Sequence, residues 1–256
     1  MYRIPIRAIQ SFLLTLGGVS SLGGQALLGI FRYRWDMAAL VDQLAVIGSR
    51  STLIVAVIAI FTGMVMALQL SVGLGRFGLK LYIGQVVGLS IVRELGPTLT
   101  CLMLAARVGS GIAAEIGSMV VTEQVLAIEA MGGNPIRKLV VPRVLACVIA
   151  APLLTAISDV VGVLGGMVVT MGEAGVTASF YIDQILKTII MDDFIQGVGK
   201  TIFFGFFIGI IACFQGLRTT GGTEGVGQST TRSVVYCSLT IFVSDFFLTK
   251  LFLLLL

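Results

Sequence analysis

Apolar residues run through this chain in stretches too long for a soluble core. Residues 51–75 form an uncharged run bounded by Arg50 and Arg76, and a bilayer core needs about 20 mostly apolar residues per helix. Residues 81–114 make a longer run that also holds Arg93, Glu94, Pro97 and Arg107. This predicts one long or broken helix, kinked near Gly96-Pro97. A third span is predicted over 144–172 with Asp159 near its middle, and a fourth over 201–217, opening after Lys200. A fifth covers 233–256, with Asp245 near its centre. Ahead of these, Ile9, Phe12, Leu13 and Leu16 recur at i, i+3, i+4 and i+7 before Gly17-Gly18. That spacing predicts an amphipathic interfacial helix within residues 1–50. Arg3 and Arg7 before a short apolar stretch resemble a signal peptide, but the apolar core is brief and lacks a clear small-residue cleavage site. The expected fold is therefore an all-α membrane protein. It comprises an N-terminal interfacial helix and five transmembrane helices over 51–256, forming one domain across residues 1–256.

Two polar islands interrupt the pattern between Gln85 and Pro142. The first is Arg93-Glu94-Leu95-Gly96-Pro97, a charge pair between apolar runs. The second, residues 122–135, predicts a short helix over 123–131 that stops at Gly132-Gly133-Asn134-Pro135. Thr122 is its expected N-cap, with Glu123 favourable in the first turn. Val125, Leu126, Ile128 and Met131 spread around this helix, alongside Gln124 and Glu129. Such a distribution suits contact on two sides: the membrane domain and a partner. An ordinary interfacial loop helix fits the same pattern.

Composition agrees with the spans. Of 256 residues 57% are hydrophobic and 12% charged, and the mean hydropathy is +1.04, whereas a soluble domain carries about 25% charged residues. The net charge of +4 contains no basic run with interleaved aromatics, so nucleic-acid binding is not indicated. The chain has no histidine, and Cys101, Cys147, Cys213 and Cys237 stand singly in apolar runs. That pattern indicates buried hydrophobes rather than a disulfide or metal set. With the N-terminus cytoplasmic, Arg3, Arg7, Arg32, Arg34, Arg50, Arg137, Lys138, Arg143, Arg218 and Arg232 fall inside. Arg76, Lys80 and Lys187 then fall outside, with Glu173, Asp183, Asp192 and Asp193; ten against three sets that orientation and a periplasmic C-terminus.

Charges kept within apolar spans are expensive and mark function by default. Arg93, Glu94, Lys200 and Asp245 on separate spans need a shared wet interior, unless Arg93 and Glu94 simply pair or snorkel. Asp159 fits a functional or a structural role equally. Gly199-Lys200-Thr201 resembles the end of a phosphate loop, but the first glycine of that motif would fall on Phe194. No nucleophile–histidine arrangement exists, so hydrolytic catalysis is not indicated. Gly84-x3-Gly88, Gly162-x3-Gly166 and Gly205-x3-Gly209 have the spacing of close helix contacts, within one chain or across a homodimer seam.

The ordered set Arg93-Glu-Leu-Gly-Pro97, Ala113-Ala-Glu-Ile-Gly117, Thr122-Glu-Gln124, Met131 to Pro135, Val141-Pro-Arg143 and Thr231-Arg-Ser-Val-Val235 resembles the MlaE family, over nearly the whole chain. These are membrane subunits of ATP-driven bacterial phospholipid transporters in the inner membrane. The resemblance implies a homodimer with a lipid cavity between subunits. By position, Arg93, Glu94, Lys200 and Asp245 would be its polar residues, and Leu70, Leu74 and Phe77 its apolar ones. It implies that the helix containing Glu123, Gln124, Val125, Leu126, Ile128, Glu129 and Met131 couples to a cytoplasmic ATPase. ATP and magnesium would sit on that ATPase, with no cofactor or metal in this chain. A STAS-domain protein and a periplasmic MCE-domain protein are the other implied partners. Two other classes remain open. An autonomous secondary transporter or channel would relay ions through Glu94, Lys200 and Asp245; a membrane scaffold would tolerate their neutralisation.

Overall fold

The computed structural model describes residues 3–32 and 37–255, with side-chain detail for 14–30 and 37–254. Every regular element among them is helical, as lipid requires of a chain that must satisfy its backbone internally. The elements are α1 (Arg3–Arg32), α2 (Met37–Gly75), α3 (Lys80–Val121), α4 (Gln124–Ala130), α5 (Ile136–Ala174), α6 (Ala178–Thr188), α7 (Met191–Leu217) and α8 (Gly222–Leu255). Five of these, α2, α3, α5, α7 and α8, are long and apolar enough to cross a membrane. The five predicted spans are all present.

Their ends differ from the expectations. The first span helix begins at Met37, not at 51, and its 39 residues make about 58 Å of helix at 1.5 Å per residue. That is nearly twice the hydrocarbon thickness of about 30 Å, so charge marks where apolarity begins, not where the helix begins. Lys200 likewise lies inside α7, two turns after its start at Met191. The N-terminal helix does not stop at Gly17-Gly18; it continues to Arg32. An interior glycine costs about 1 kcal/mol of helix propensity, and packing offsets it here. A Cβ on Gly18 would overlap the Phe214 ring, and Leu22 and Ala26 bury along the same i, i+4 stripe. The side chains of Ile9, Phe12 and Leu13, and those of Arg3, Arg7 and Arg32, lie outside the described residues, as does all of Arg34.

The helices contribute to two compact units. One comprises residues up to Gln43, Ala105–Cys147 and Phe206–Ser238. In it the Ala113–Gly117 and Val141–Arg143 motifs meet. Arg143, 4% exposed, reaches Glu115 with Nη2 to Oε1 at 2.7 Å and donates from Nη1 to the Leu139 carbonyl at 2.8 Å. The other comprises Leu44–Leu104, Val148–Gly205 and residues from Leu239 onward. There α5 presses on α2 through backbone-to-backbone approaches: a Cβ on Gly63 would overlap the Gly162 carbonyl, and one on Gly165 the Ile60 carbonyl. Gly84 and Gly88 face Tyr181 and Ile185 of α6, and the Gln85 side-chain N–H donates to Gln184 Oε1 across the same pair. In the first unit, Gly209 lies against Val144. Each of the three small-xxx-small motifs thus has at least one glycine in a contact within this chain. Burial of Tyr181, whose hydroxyl donates to the Val163 carbonyl at 3.3 Å, raises the phenol above its ordinary pKa.

Candidate functional site

The Arg93–Pro97 island sits on a local change of helix type. Pro97 has no N–H to donate, and residues Ile91–Leu95 respond with a π-turn in which Gly96 donates to the Ile91 carbonyl. The expected disruption near Gly96-Pro97 therefore takes the form of a π-turn just before it. Such turns recur at functional sites because they re-aim side chains. Here Arg93 and Glu94 do not pair with each other. They reach two residues of α7 that stand seven positions apart, two turns along one face.

Glu94 joins the buried cluster. Lys200 is fully enclosed and its ammonium uses all three protons. It donates to Glu94 Oε2 at 2.9 Å, to Asp245 Oδ1 at 3.1 Å and to Thr249 Oγ1 at 2.8 Å. Thr249 in turn donates to Glu94 Oε1 at 3.2 Å. Glu94 keeps 39% of its side-chain surface and Asp245 18%, so the cluster is closed on the Lys200 side and open on the Glu94 side. Sequence reasoning missed Thr249, although its i, i+4 relation to Asp245 places both on one face of α8.

Arg93 goes elsewhere, a correction to its expected partnership with Lys200 and Asp245. Its Nε donates to Asp193 Oδ1 at 2.7 Å and Nη2 contacts the same oxygen. Asp193 Oδ2 accepts the Ile190 backbone N–H at 3.1 Å. Asp193, in the acidic segment expected outside, is 2% exposed and sits in the first turn of α7, where negative charge suits the helix dipole.

Asp159 is the opposite case. It is 3% exposed, and among the described residues neither carboxylate oxygen has a hydrogen-bond partner, nor do the buried hydroxyls of Thr155 one turn before it and of Thr100. Its Oδ1 occupies the space that a Cβ on Gly96 would need. Gly96 is therefore required by close approach. The apolar expectations divide as well. Leu70 and Leu74 pack, partly buried, against Ala67, Ile83, Val87 and Ile91, while Phe77 is 77% exposed.

The second island forms α4, shorter than expected at seven residues. Thr122 is not its N-cap: the hydroxyl donates back to the Ser118 carbonyl at 2.8 Å, closing the end of α3. Glu123 takes the cap position in the left-handed region, φ 60°, without a side-chain cap bond. The stop is as expected. Gly132 at φ +76° donates to the Glu129 carbonyl at 2.8 Å and Gly133 to that of Ile128 at 2.9 Å. Asn134 starts the next helix, accepting the Ile136 N–H at 2.9 Å. Val125 and Ile128 are partly covered, whereas Leu126 (60%), Met131, Glu123, Gln124 and Glu129 are exposed.

Five membrane-length helices carrying an enclosed ammonium and its carboxylates define a multi-span membrane protein built to keep a polar locus among apolar walls. The comparisons specify which. The chain belongs to the Permease MlaE family, whose pattern matches residues 40–251. A probable ABC transporter permease of Rickettsia felis is 40% identical over 241 residues, 94% of this chain and 93% of that protein. One from Synechocystis is 39% identical over 245 residues, 96% and 90% of the two chains. The intermembrane phospholipid transport system permease protein MlaE of Haemophilus influenzae is 36% identical over 246 residues, 96% and 94%. Among the described residues no set of His, Cys, Asp or Glu is placed to hold a metal ion, and Cys101, Cys147, Cys213 and Cys237 are all buried.

Proposed function

We propose that this chain is the membrane subunit of an ATP-driven phospholipid transporter of a bacterial inner membrane. It moves lipid between that membrane and a periplasmic MCE-domain carrier, and does no covalent chemistry itself. Two copies form the working unit, each with its N-terminus cytoplasmic and its C-terminus periplasmic. ATP and magnesium are handled by a separate cytoplasmic ATPase, with which a STAS-domain protein associates. The observation that carries this reading is the Lys200 cluster: an ammonium with two carboxylates and a hydroxyl, open on its Glu94 side, within predominantly apolar helices of membrane length. An amphipathic cargo needs both components. Glu94, Lys200 and Asp245, with the neighbouring Arg93, supply charge for the head group. Leu70, Leu74 and Phe77 supply surface for the chains. The names and coverage of the relatives support the cargo class. The exposed Leu126 and Met131 support a docking role for α4.

The test is Glu94→Ala combined with Lys200→Ala, which removes the ammonium together with one of its carboxylates. Lipid-stimulated ATP turnover of the assembled transporter should fall about ten-fold or more while the subunits still co-purify. Normal lipid movement by that variant would overturn the cavity assignment. Transport by this chain reconstituted alone would favour an autonomous carrier instead.

A further inference from the structure

The Thr231–Val235 motif plays no part in the Lys200 cluster or in α4, and its Arg232 lines a second, separate groove. This groove lies within the unit that contains the turn between α7 and α8, and encloses about 780 Å3, within the range typical of small-ligand sites. Arg218, Arg232, Phe214, Ser229, Thr220 and Tyr236 are among its walls. Both arginines are exposed. Among the described residues neither has a carboxylate partner, in contrast to Arg93 and Arg143.

Arg218 is nonetheless positioned by a ring, and Arg232 stands beside it in the groove wall. Arg218 lies over the Phe214 ring with its Cζ 5.3 Å from the centroid, a cation–π contact that fixes the plane and leaves the N–H fork free. Arg232 has one long contact, from Nη2 to Gln228 Oε1 at 3.5 Å. Ser229 accepts the Thr219 hydroxyl proton at 2.9 Å, which leaves its own O–H to donate. The groove thus offers two cationic forks and a hydroxyl donor with no anion supplied by the chain. Arginine forks match phosphate oxygens in geometry and charge. The position selects the kind of phosphate. Arg218 directly follows the last residue of α7, and Val235, one turn beyond Arg232, is 50% exposed where the apolar part of α8 begins. Charge therefore gives way to apolar helix within one turn, as at the level of lipid phosphates.

We propose that Arg218 and Arg232 form a binding site for the phosphate of an anionic membrane lipid, separate from the Lys200 cluster. The proposal does not depend on what the transporter carries. The test uses the full chain in nanodiscs of phosphatidylcholine containing a minor fraction of phosphatidylglycerol. Phosphatidylglycerol retained after a detergent wash is quantified by mass spectrometry. Arg218→Gln with Arg232→Gln should lower its retention about thirty-fold, the product of two surface charges, with phosphatidylcholine retention and helical content unchanged. Arg218→Lys with Arg232→Lys should keep most of the retention, and Lys187→Gln, which removes an exposed cation of α6, should leave it as in the parent. Equal retention by the glutamine pair overturns the proposal, as does an equal loss in Lys187→Gln, which would make the effect one of bulk charge. Displacement of the lipid by inorganic phosphate would assign the groove to a soluble anion and overturn it too. So would glutamine variants that keep the lipid but lose the co-purifying ATPase, since the groove would then be a protein contact.

Discussion

The two polar islands behave in opposite ways. Around Glu94 the chain supplies its own partners: Lys200, Asp245 and Thr249 come from two other helices and leave no proton of the ammonium unused. Around α4 it supplies few. Leu126 and Met131 stand exposed on a seven-residue helix whose residues are nowhere fully buried. Buried charge and exposed apolar surface are both costly, but only the first cost is met inside the chain. The Glu94 island is consequently a structural unit as well as a candidate site, whereas α4 has a surface to be completed by something else. Asp159 breaks the rule for the first region. It is more buried than Glu94 or Asp245 and among the described residues has no hydrogen-bond partner.

The largest expected effect comes from removing the centre of the satisfied region. Lys200→Met strands two carboxylates, and breaking a buried pair costs 3–5 kcal/mol. Because Glu94 keeps 39% of its surface, a loss of about 3 kcal/mol is expected in detergent unfolding, from the low end of that range. Adding Glu94→Gln and Asp245→Asn should recover most of it. If it does not, the cluster is not the unit described. Next is the unsatisfied carboxylate. Gly96→Ala drives a methyl into Asp159 Oδ1 and should cost about 2 kcal/mol. Asp159→Ala in the same chain should restore the loss, and a double-mutant cycle without coupling would refute the contact.

The effects at α4 are smaller. Glu123 is the one described non-glycine residue at positive φ, so Glu123→Gly should raise the unfolding midpoint, by about 1 kcal/mol or less. Destabilisation there would mean that the side chain does more than tolerate its backbone. Leu126→Ser with Met131→Ser should change stability by about 0.5 kcal/mol or less, since both are exposed. Co-purification of the ATPase should nevertheless drop sharply; unchanged co-purification would remove the reason for treating the face as a docking surface.

Much of this was legible beforehand for identifiable reasons. Five apolar runs gave five helices because a bilayer leaves the backbone little alternative. Gly132-Gly133 ended α4 because the left-handed cap favours a residue without Cβ. The misreadings are as specific. Glycine pairs were taken to end α1, yet Gly18 serves the packing of Phe214. Thr122 was expected to open α4 but closes α3. What no local pattern shows is that Asp193 is held by Arg93, about a hundred positions away.

The sequence by itself determined the membrane class, the number of spans and the presence of costly charges in them. Those properties follow from local composition and a length matched to the bilayer. Only the tertiary structure decided which charge meets which: Glu94 with Lys200, Arg93 with Asp193, Glu115 with Arg143, and Asp159 with none among the described residues. Pairing depends on helix rotation and close approach, set by small residues and π-turns that shift a side chain's direction without changing the apolar pattern around it.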